Sequence, residues 1–436
     1  AMFAVTLPFT LWALWRGEVP LAVSLQLYGV FLVSAILYHL TGLVAGTVIR
    51  NRRWAFLLSM GIVFLLYTVI PQAAKFGLVY FKYLTLWPVF EECLPNLIPR
   101  DAGAALQTVQ NLLPSARFFN LGLPQVVFTL ISQGVLILTA LVILWRRWRR
   151  AESHLLGKSW AAGLFTWIQL VLLGNALPLI DPGHVFPSRQ INRLASRYVP
   201  RPDWTPDPAE AIIIAGAFGL VTLAILWTLT MMITPSAETQ LRGWRRARKL
   251  GKGSLPLLSD PATAFPTVAW MVGAGTAGWF LFSKAVLESR WFPWAEMPPL
   301  ALATFALVLF NAGFGFHAVL EGRGGRTAGM CAIFLGVVPV MVGAVLAALS
   351  DSISDHLAIP AIWLIGLSPA MGPVYAALTT LPGAEFDPTL VRALPRAFWF
   401  WQGVSLLAAL WLLGNLIRTR RSIASQAAAS TAPDAS

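Results

Sequence analysis

The side chains that could take part in chemistry are sparse in this sequence, and the densest group is basic. It occupies residues 241–250 and combines one indole with several cations: Arg242, Trp244, Arg245, Arg246, Arg248 and Lys249. Lys and Arg clusters beside an apolar stretch attract anionic lipid and fix the orientation of neighbouring spans. A short basic helix with an indole would also suit the surface of a partner protein. The sequence alone leaves these interpretations open.

No nucleotide-binding pattern accompanies that basic run. A Walker A loop requires G-x-x-x-x-G-K-[ST], whose backbone N–H groups hold the phosphates. At Gly251-Lys252 the first glycine of the pattern falls on Arg246, and Gly253 stands where Ser or Thr is needed. ATP hydrolysis coupled to this chain must therefore come from another subunit. We expect no enzyme activity and no cofactor.

Histidine and carboxylate residues are too isolated to predict a metal site. His39 and His317 lie near the ends of apolar stretches without a second ligand at helical spacing. We expect both to be neutral groups that form hydrogen bonds between helices. A loop cluster of Asp351, Asp355 and His356 is expected to be solvated or to cap a helix.

Two further segments resemble known motifs but predict local structure instead. Residues 366–370, GLSPA, lack the final glycine of a nucleophile elbow, and Pro369 follows the serine, so we predict a helix break. Residues 273–278, GAGTAG, lie inside an apolar stretch and predict close packing of membrane helices.

The elements that position these residues belong to a membrane protein. Of 436 residues, 57% are hydrophobic and only 12% are charged, and the mean hydropathy is +0.68. Soluble domains are about half apolar and about a quarter charged. Repeated apolar runs of about twenty residues predict an all-α, polytopic transmembrane helical bundle. Cys93 and Cys331 are too few for a disulfide framework.

The apolar runs predict about ten full spans and two broken regions. The spans are 1–15, 21–49, 54–72, 125–145, 161–180, 211–235, 266–287, 300–320, 327–349 and 398–417. Several prolines interrupt residues 73–124 and 351–397. Non-helical backbone at membrane depth survives where protein buries it or where it lines water. We therefore predict two helical hairpins, re-entrant or interfacial, on the outer side.

Charge predicts the orientation of these spans. The chain carries 32 Lys and Arg against 19 Asp and Glu, a net charge of +13. Most of the basic residues lie in five short loops: 50–53, 146–158, 242–252, 323–326 and 418–421. The positive-inside rule places these loops in the cytoplasm, so the excess charge needs no nucleic-acid partner.

The order of elements repeats once along the chain. Spans 1–15, 21–49 and 54–72 precede a broken region, a last span and a basic cluster. Spans 266–287, 300–320 and 327–349 precede the same three features. The local sequences 41–49 and 312–320 can be overlaid weakly. Two extra spans precede the second copy, so a complete first copy would begin upstream of Ala1.

Six spans with an outer helical hairpin before the last one resemble type 2 ATP-binding-cassette exporter permeases. The resemblance covers nearly the whole chain and implies two permease units in tandem, with the first truncated at its N-terminus. In that family, separate cytoplasmic ATPase subunits bind the loop between the second and third spans. Here that loop is residues 236–265, and its basic segment 242–249 would be the docking site. A bacterial cytoplasmic membrane is the implied location.

The resulting domain prediction has three parts. Residues 1–150 form a truncated first transmembrane unit, residues 151–421 a second unit of six spans, and residues 422–436 a disordered tail. The predicted function is an exporter permease of unknown substrate whose partners are ATPase subunits and the lipid bilayer. A secondary transporter and a non-catalytic scaffold subunit remain the alternatives.

Overall fold

A computed structural model describes eleven segments of the chain, and all structural statements below concern them: residues 21–49, 51–76, 78–89, 116–119, 121–149, 154–180, 208–234, 263–287, 297–352, 355–382 and 388–429. They form an all-α helical bundle with one short β-hairpin. Contacts divide the chain into two compact units: 1–149 with 171–205, and 150–170 with 206–436. The predicted division at residue 150 stays a prediction.

The first unit is built from three long apolar helices. They are α1 (Leu21–Val48), α2 (Arg52–Phe64) and α3 (Gln125–Arg149). A π-helical turn (Leu65–Val69) and a 3-10 helix (Ile70–Phe76) extend α2, and a second 3-10 helix spans Val79–Leu84. No residue of Arg52–Phe64 is buried, as expected for an apolar helix surrounded by lipid.

Helices α1 and α3 form the core of the first unit. Leu40 packs against Ala140 and Leu144, while the ring of Phe128 meets that of Tyr83 edge-on at 4.8 Å. Helix α3 ends in a basic turn, where the guanidinium of Arg149 lies 4.4 Å from the Trp145 ring. Cations favour a helix C-terminus because its carbonyl groups carry partial negative charge.

The second unit contains the remaining helices. They are α4 (Lys158–Ile180, whose last ten residues belong to the first unit), α5 (Pro208–Ile233), α6 (Phe265–Leu287), α7 (Leu300–Arg323), α8 (Gly325–Cys331), α9 (Val338–Ser352), α10 (Ala358–Gly366), α11 (Gly372–Thr380) and α12 (Pro388–Ala429). A π-helical segment, Ala332–Val337, joins α8 to α9, and short 3-10 turns cover Asp355–Leu357 and Pro369–Met371.

Eight helices of the described segments are long and apolar enough to cross a membrane, or nine if α10 and α11 count as one span. These helices define a multi-pass membrane protein. Helix α4 coincides with the predicted span 161–180 but is not among the eight. Predicted span 1–15 lies outside the described segments, so the count of about ten stays a prediction.

The last helix is longer than its sequence predicts. Helix α12 continues to Ala429, so residues 422–429 of the expected disordered tail are helical, and residues 430–436 lie outside the described part. Alanine is the strongest helix former, and AAA at 427–429 follows an existing helix, so propagation needs no new nucleus. Pro395 lies within this helix rather than at a break.

The first broken region is not a helical hairpin where it is described. After the 3-10 helix Val79–Leu84, strands β1 (Ala116–Phe118) and β2 (Leu121–Leu123) form an antiparallel hairpin. Phe119 has a φ of 51°, a conformation that bulky side chains rarely adopt. Its N–H donates to the Gly174 carbonyl at 2.7 Å, which holds the hairpin against the end of α4 within the first unit.

The second broken region bends as its sequence predicts. Helices α10 and α11 meet at an angle of 94°, and the break falls at Ser368-Pro369. Ser368 is extended there, and Pro369 has no N–H to continue the helical ladder. The helix break predicted for residues 366–370 is confirmed.

Side-chain donors near this break bond backbone carbonyl groups of α10 and of the neighbouring π-helical segment. The Ser368 hydroxyl donates to the Gly336 carbonyl in the π-helical segment at 2.6 Å. The Tyr375 hydroxyl donates to the Ile362 carbonyl, and the Trp401 indole N–H donates to the Trp363 carbonyl, both at 2.8 Å. A bend inside an apolar bundle needs such partners, because lipid offers none.

Small residues allow close packing in the second unit. A Cβ on Gly275 would lie 2.9 Å from Thr222, and one on Gly278 would lie 2.5 Å from the Gln169 side chain. The packing predicted for residues 273–278 is therefore confirmed at these two glycines, while Gly273 faces open space.

Candidate functional site

The predicted docking residues cannot be placed. Residues 235–262 lie outside the described segments, and they contain Arg242, Trp244, Arg245, Arg246, Arg248 and Lys249. The described chain resumes at Thr263, whose side chain is fully buried. The docking assignment therefore stays a prediction. The described part of that loop is its end, from Thr263 onward.

A buried cluster of charges holds this point. The Arg420 Nε donates to Glu321 Oε1 at 2.8 Å, and a terminal nitrogen of the same guanidinium pairs with Glu321 Oε2. That terminal nitrogen also donates to the Thr263 hydroxyl. The cluster thereby ties Thr263, two residues before α6, to the C-terminal turn of α7 and to α12 within the second unit.

His317 belongs to the same cluster. Its Nε2 lies 3.1 Å from Glu321 Oε2, one helical turn along α7, and both side chains are fully buried. Its Nδ1 has no hydrogen-bond partner among the described residues. The hydrogen bond between helices that the sequence predicts for His317 is not found among the described residues, because its close partner Glu321 lies on the same helix.

Charge counting along the sequence missed this cluster. Residues 418–421 were predicted to form a cytoplasmic loop, yet the Arg420 side chain is buried in the second unit with that of Glu321. The i, i+4 spacing of His317 and Glu321 at the end of an apolar helix is the signal that the sequence offers. Arg420 lies far away along the chain, so only tertiary packing brings it to this carboxylate.

An apolar cavity lies in the second unit between α7, the π-helical segment and α12. It measures about 180 Å³. Its walls include Phe316 from α7, Leu335 and Gly336 from the π-helical segment, and Ala409 and Leu412 from α12. π-Helical turns inside α-helices are frequent at functional sites, because they widen the helix and disturb its regular hydrogen bonds.

Asn311 and Gln402 supply amide groups to the cavity. The Asn311 Nδ2 donates to Gln402 twice, at 3.0 Å to Oε1 and at 3.1 Å to the backbone oxygen. Asn311 is only 5% exposed, and its Oδ1 has no hydrogen-bond partner among the described residues. A buried acceptor without a partner is costly, so a bound molecule that brings a donor would be stabilised here.

The first unit contains related features. A buried hydrogen bond of 2.9 Å joins Ser34 on α1 to Gln133 on α3. A groove of about 970 Å³ lies beside it, and the helix that forms its second wall again passes into a π-helical turn. In each unit, therefore, the last long helix offers a buried glutamine to the helix matched in the sequence repeat. Ser34 and Asn311 do not align in the overlay of residues 41–49 with 312–320.

Two other histidines singled out in the sequence, His39 and His356, form no further site with the side chains that the structure describes. His39 is exposed and has no hydrogen-bond partner in the described part, which differs from its expected role. His356 is exposed in a short 3-10 helix. Within the described segments, no group of three or more His, Cys, Asp or Glu residues could hold a metal ion.

Fold and site together define an all-α, multi-pass membrane protein with a buried charge cluster and an apolar cavity. Comparison with known proteins adds no narrower class. The chain matches no family model, no curated protein and no solved structure.

Proposed function

We propose that this chain is the transmembrane permease subunit of an ATP-driven exporter in a bacterial cytoplasmic membrane, with separate ATPase subunits as the energy source. The observation that carries the proposal is the repeat. Each unit combines a π-helical turn in the matched span with a buried glutamine on the last span. Tandem units of this kind suit a transporter assembled from two related halves.

The charge cluster suggests how an ATPase would act on the second unit. Thr263 lies near the end of the proposed docking loop, residues 236–265, and Arg420 bonds both Thr263 and Glu321. A displacement of the loop would therefore reach α6, α7 and α12 through one buried network. ATP binding drives transport only if it favours one arrangement of these helices over another.

Replacement of docking residues tests the proposal. We expect a variant with Trp244→Ala, Arg245→Gln, Arg246→Gln and Arg248→Gln to lose co-purification of a Walker A ATPase while keeping its abundance in the membrane. Trp244→Ala alone should be nearly as damaging, because an indole in a protein groove contributes packing that charge cannot replace. The measurement is the ATPase bound per purified chain and its ATP hydrolysis rate.

A matched control separates docking from general charge effects. Arg418→Gln with Arg421→Gln removes exposed positive charge from α12 and leaves the loop unchanged. Attraction to anionic lipid predicts graded losses of about 1 kcal/mol per charge in either set, weakened by salt. Undiminished ATPase binding after all four loop replacements would refute the docking assignment.

One observation favours a second candidate, a secondary transporter. Titratable groups buried in membrane helices mark ion or proton pathways, and His317 with Glu321 provides such a pair. A secondary transporter needs no ATPase. If the unsubstituted chain co-purifies with no ATPase and His317→Gln abolishes transport driven by a proton gradient, this candidate replaces the first.

A further inference from the structure

We infer that the cavity of the second unit binds an amphiphile from the bilayer: an apolar chain with one hydrogen-bond donor, which Asn311 Oδ1 accepts. The inference deepens the proposed function, because the bound molecule would then be the exported cargo. Its own basis is the geometry of the cavity, which does not depend on the energy source.

The lining of the cavity selects an apolar molecule. Among the walls are aromatic and aliphatic side chains together with the flat surfaces of Gly315 and Gly336. Burial of an alkyl chain here is favourable because it removes apolar surface from water. The polar side chains along the wall include the amides of Asn311 and Gln402, the hydroxyl of Ser405 and the thiol of Cys331. The indole N–H of Trp227 also lies there and donates to the Ala312 carbonyl at 3.0 Å.

Asn311 selects a donor rather than an acceptor. Both of its bonds to Gln402 use Nδ2, so the remaining polar atom is the carbonyl Oδ1. A hydroxyl group can donate to that oxygen, whereas an ether oxygen cannot. A neutral hydrogen bond favours the alcohol over its ether by about threefold to tenfold in affinity.

The exposure of the π-helical segment in the cavity wall indicates that the ligand enters from lipid. Leu335 lines the cavity and is 48% exposed, and its neighbour Phe334 is 65% exposed. On a membrane-spanning helix, large exposed apolar side chains face lipid. A molecule dissolved in the bilayer can therefore reach the cavity past the π-helical segment.

Cysteine protection tests the inference without knowledge of the natural ligand. Cys331 lines the cavity and is partly exposed. Since the chain has 2 cysteines, Cys93→Ser leaves Cys331 as its single thiol. The purified protein in lipid nanodiscs is alkylated with N-ethylmaleimide in the presence of dodecanol or dodecyl methyl ether. The two probes share a chain and differ in the hydroxyl donor.

For each probe we measure the concentration that halves the alkylation rate of Cys331. We expect this concentration to be about threefold to tenfold lower for dodecanol than for the ether. In Asn311→Leu the two probes should halve the alkylation rate at the same concentration, because this substitution removes the acceptor and keeps the side-chain volume similar. Asn415→Leu, on α12 about one turn beyond the lining residue Leu412 and not itself part of the wall, should keep the difference. The ether also serves as a folding control. If it still protects Cys331 from alkylation in a variant, the cavity is still formed in that variant.

Two results would overturn the inference. One is equal protection by alcohol and ether in the protein that retains Asn311. The other is no protection by either probe. Neither result depends on an ATPase, so failure of the cargo site and failure of the proposed function are distinguishable: loss of ATPase binding leaves this assay unchanged.

Discussion

Removal of Arg420 is expected to destabilise the second unit far more than removal of its neighbour in sequence. Arg420 is fully buried and contacts both oxygens of Glu321 and the hydroxyl of Thr263. Arg420→Leu places an apolar side chain at this position. It leaves the Glu321 carboxylate buried with His317 as its remaining close partner. The adjacent Arg421 is exposed, so Arg421→Leu is the matched control.

The magnitude follows from the burial of both partners. Removal of one member of a buried ion pair typically costs about 3–5 kcal/mol, because the other charge stays desolvated. Replacement of both members by apolar residues is often neutral or stabilising. We therefore expect Arg420→Leu to lower the free energy of unfolding by about 3–5 kcal/mol. Adding Glu321→Leu should restore most of that loss, and Arg421→Leu should cost less than about 1 kcal/mol.

Equilibrium unfolding in mixed detergent micelles measures these differences. Titration with sodium dodecyl sulfate, followed by circular dichroism, gives the free energy of unfolding of each variant. The double variant reports the coupling between Arg420 and Glu321 directly. A loss below about 1 kcal/mol for Arg420→Leu would show that water reaches the pair. Additive losses in the double variant would show that the two side chains do not interact.

Three further substitutions test packing in the second unit by the same measurement. A Cβ on Gly219 would lie 2.5 Å from the ring of the fully buried Trp279, so Gly219→Ala should cost about 1–3 kcal/mol. Gly403→Ala faces open space in a helix and should stabilise by up to about 1 kcal/mol. Ser368→Ala leaves the Gly336 carbonyl without its hydroxyl donor and should cost about 1–3 kcal/mol. A Gly219→Ala protein as stable as Gly403→Ala, or an unaffected Ser368→Ala protein, would contradict the packing described above.

Local pattern and composition were sufficient to predict the fold class, one helix break and one site of close helix packing. Apolar runs of about twenty residues are long enough to cross a bilayer, and they predict most of the long helices within a few residues. The break at Ser368-Pro369 is local chemistry, because proline cannot donate to the helical ladder. The close approach at Gly275 and Gly278 follows likewise from the absence of side chains.

Sequence patterns predicted secondary structure less reliably where local preference and contacts with residues distant in the chain favour different structures. Prolines in residues 73–124 predicted a helical hairpin, but the described end of that region forms a β-hairpin around Phe119. Its rare backbone conformation is supported by the Gly174 carbonyl, which lies on a helix much later in the chain. The extension of α12 to Ala429 is the opposite case, since local alanine propensity outweighed the small, polar composition that suggested disorder.

By itself, then, the sequence determined an all-α membrane bundle and the absence of a Walker A pattern from these 436 residues, since each depends on residues close together in the chain. The repeat of elements stays a prediction. Only the tertiary structure decided which polar side chains meet. Arg420 joins Glu321 and Thr263, and Asn311 joins Gln402, across separations that no periodicity encodes. The physical reason is that charges and amides in an apolar bundle must find one another, and packing alone decides which partners are within reach.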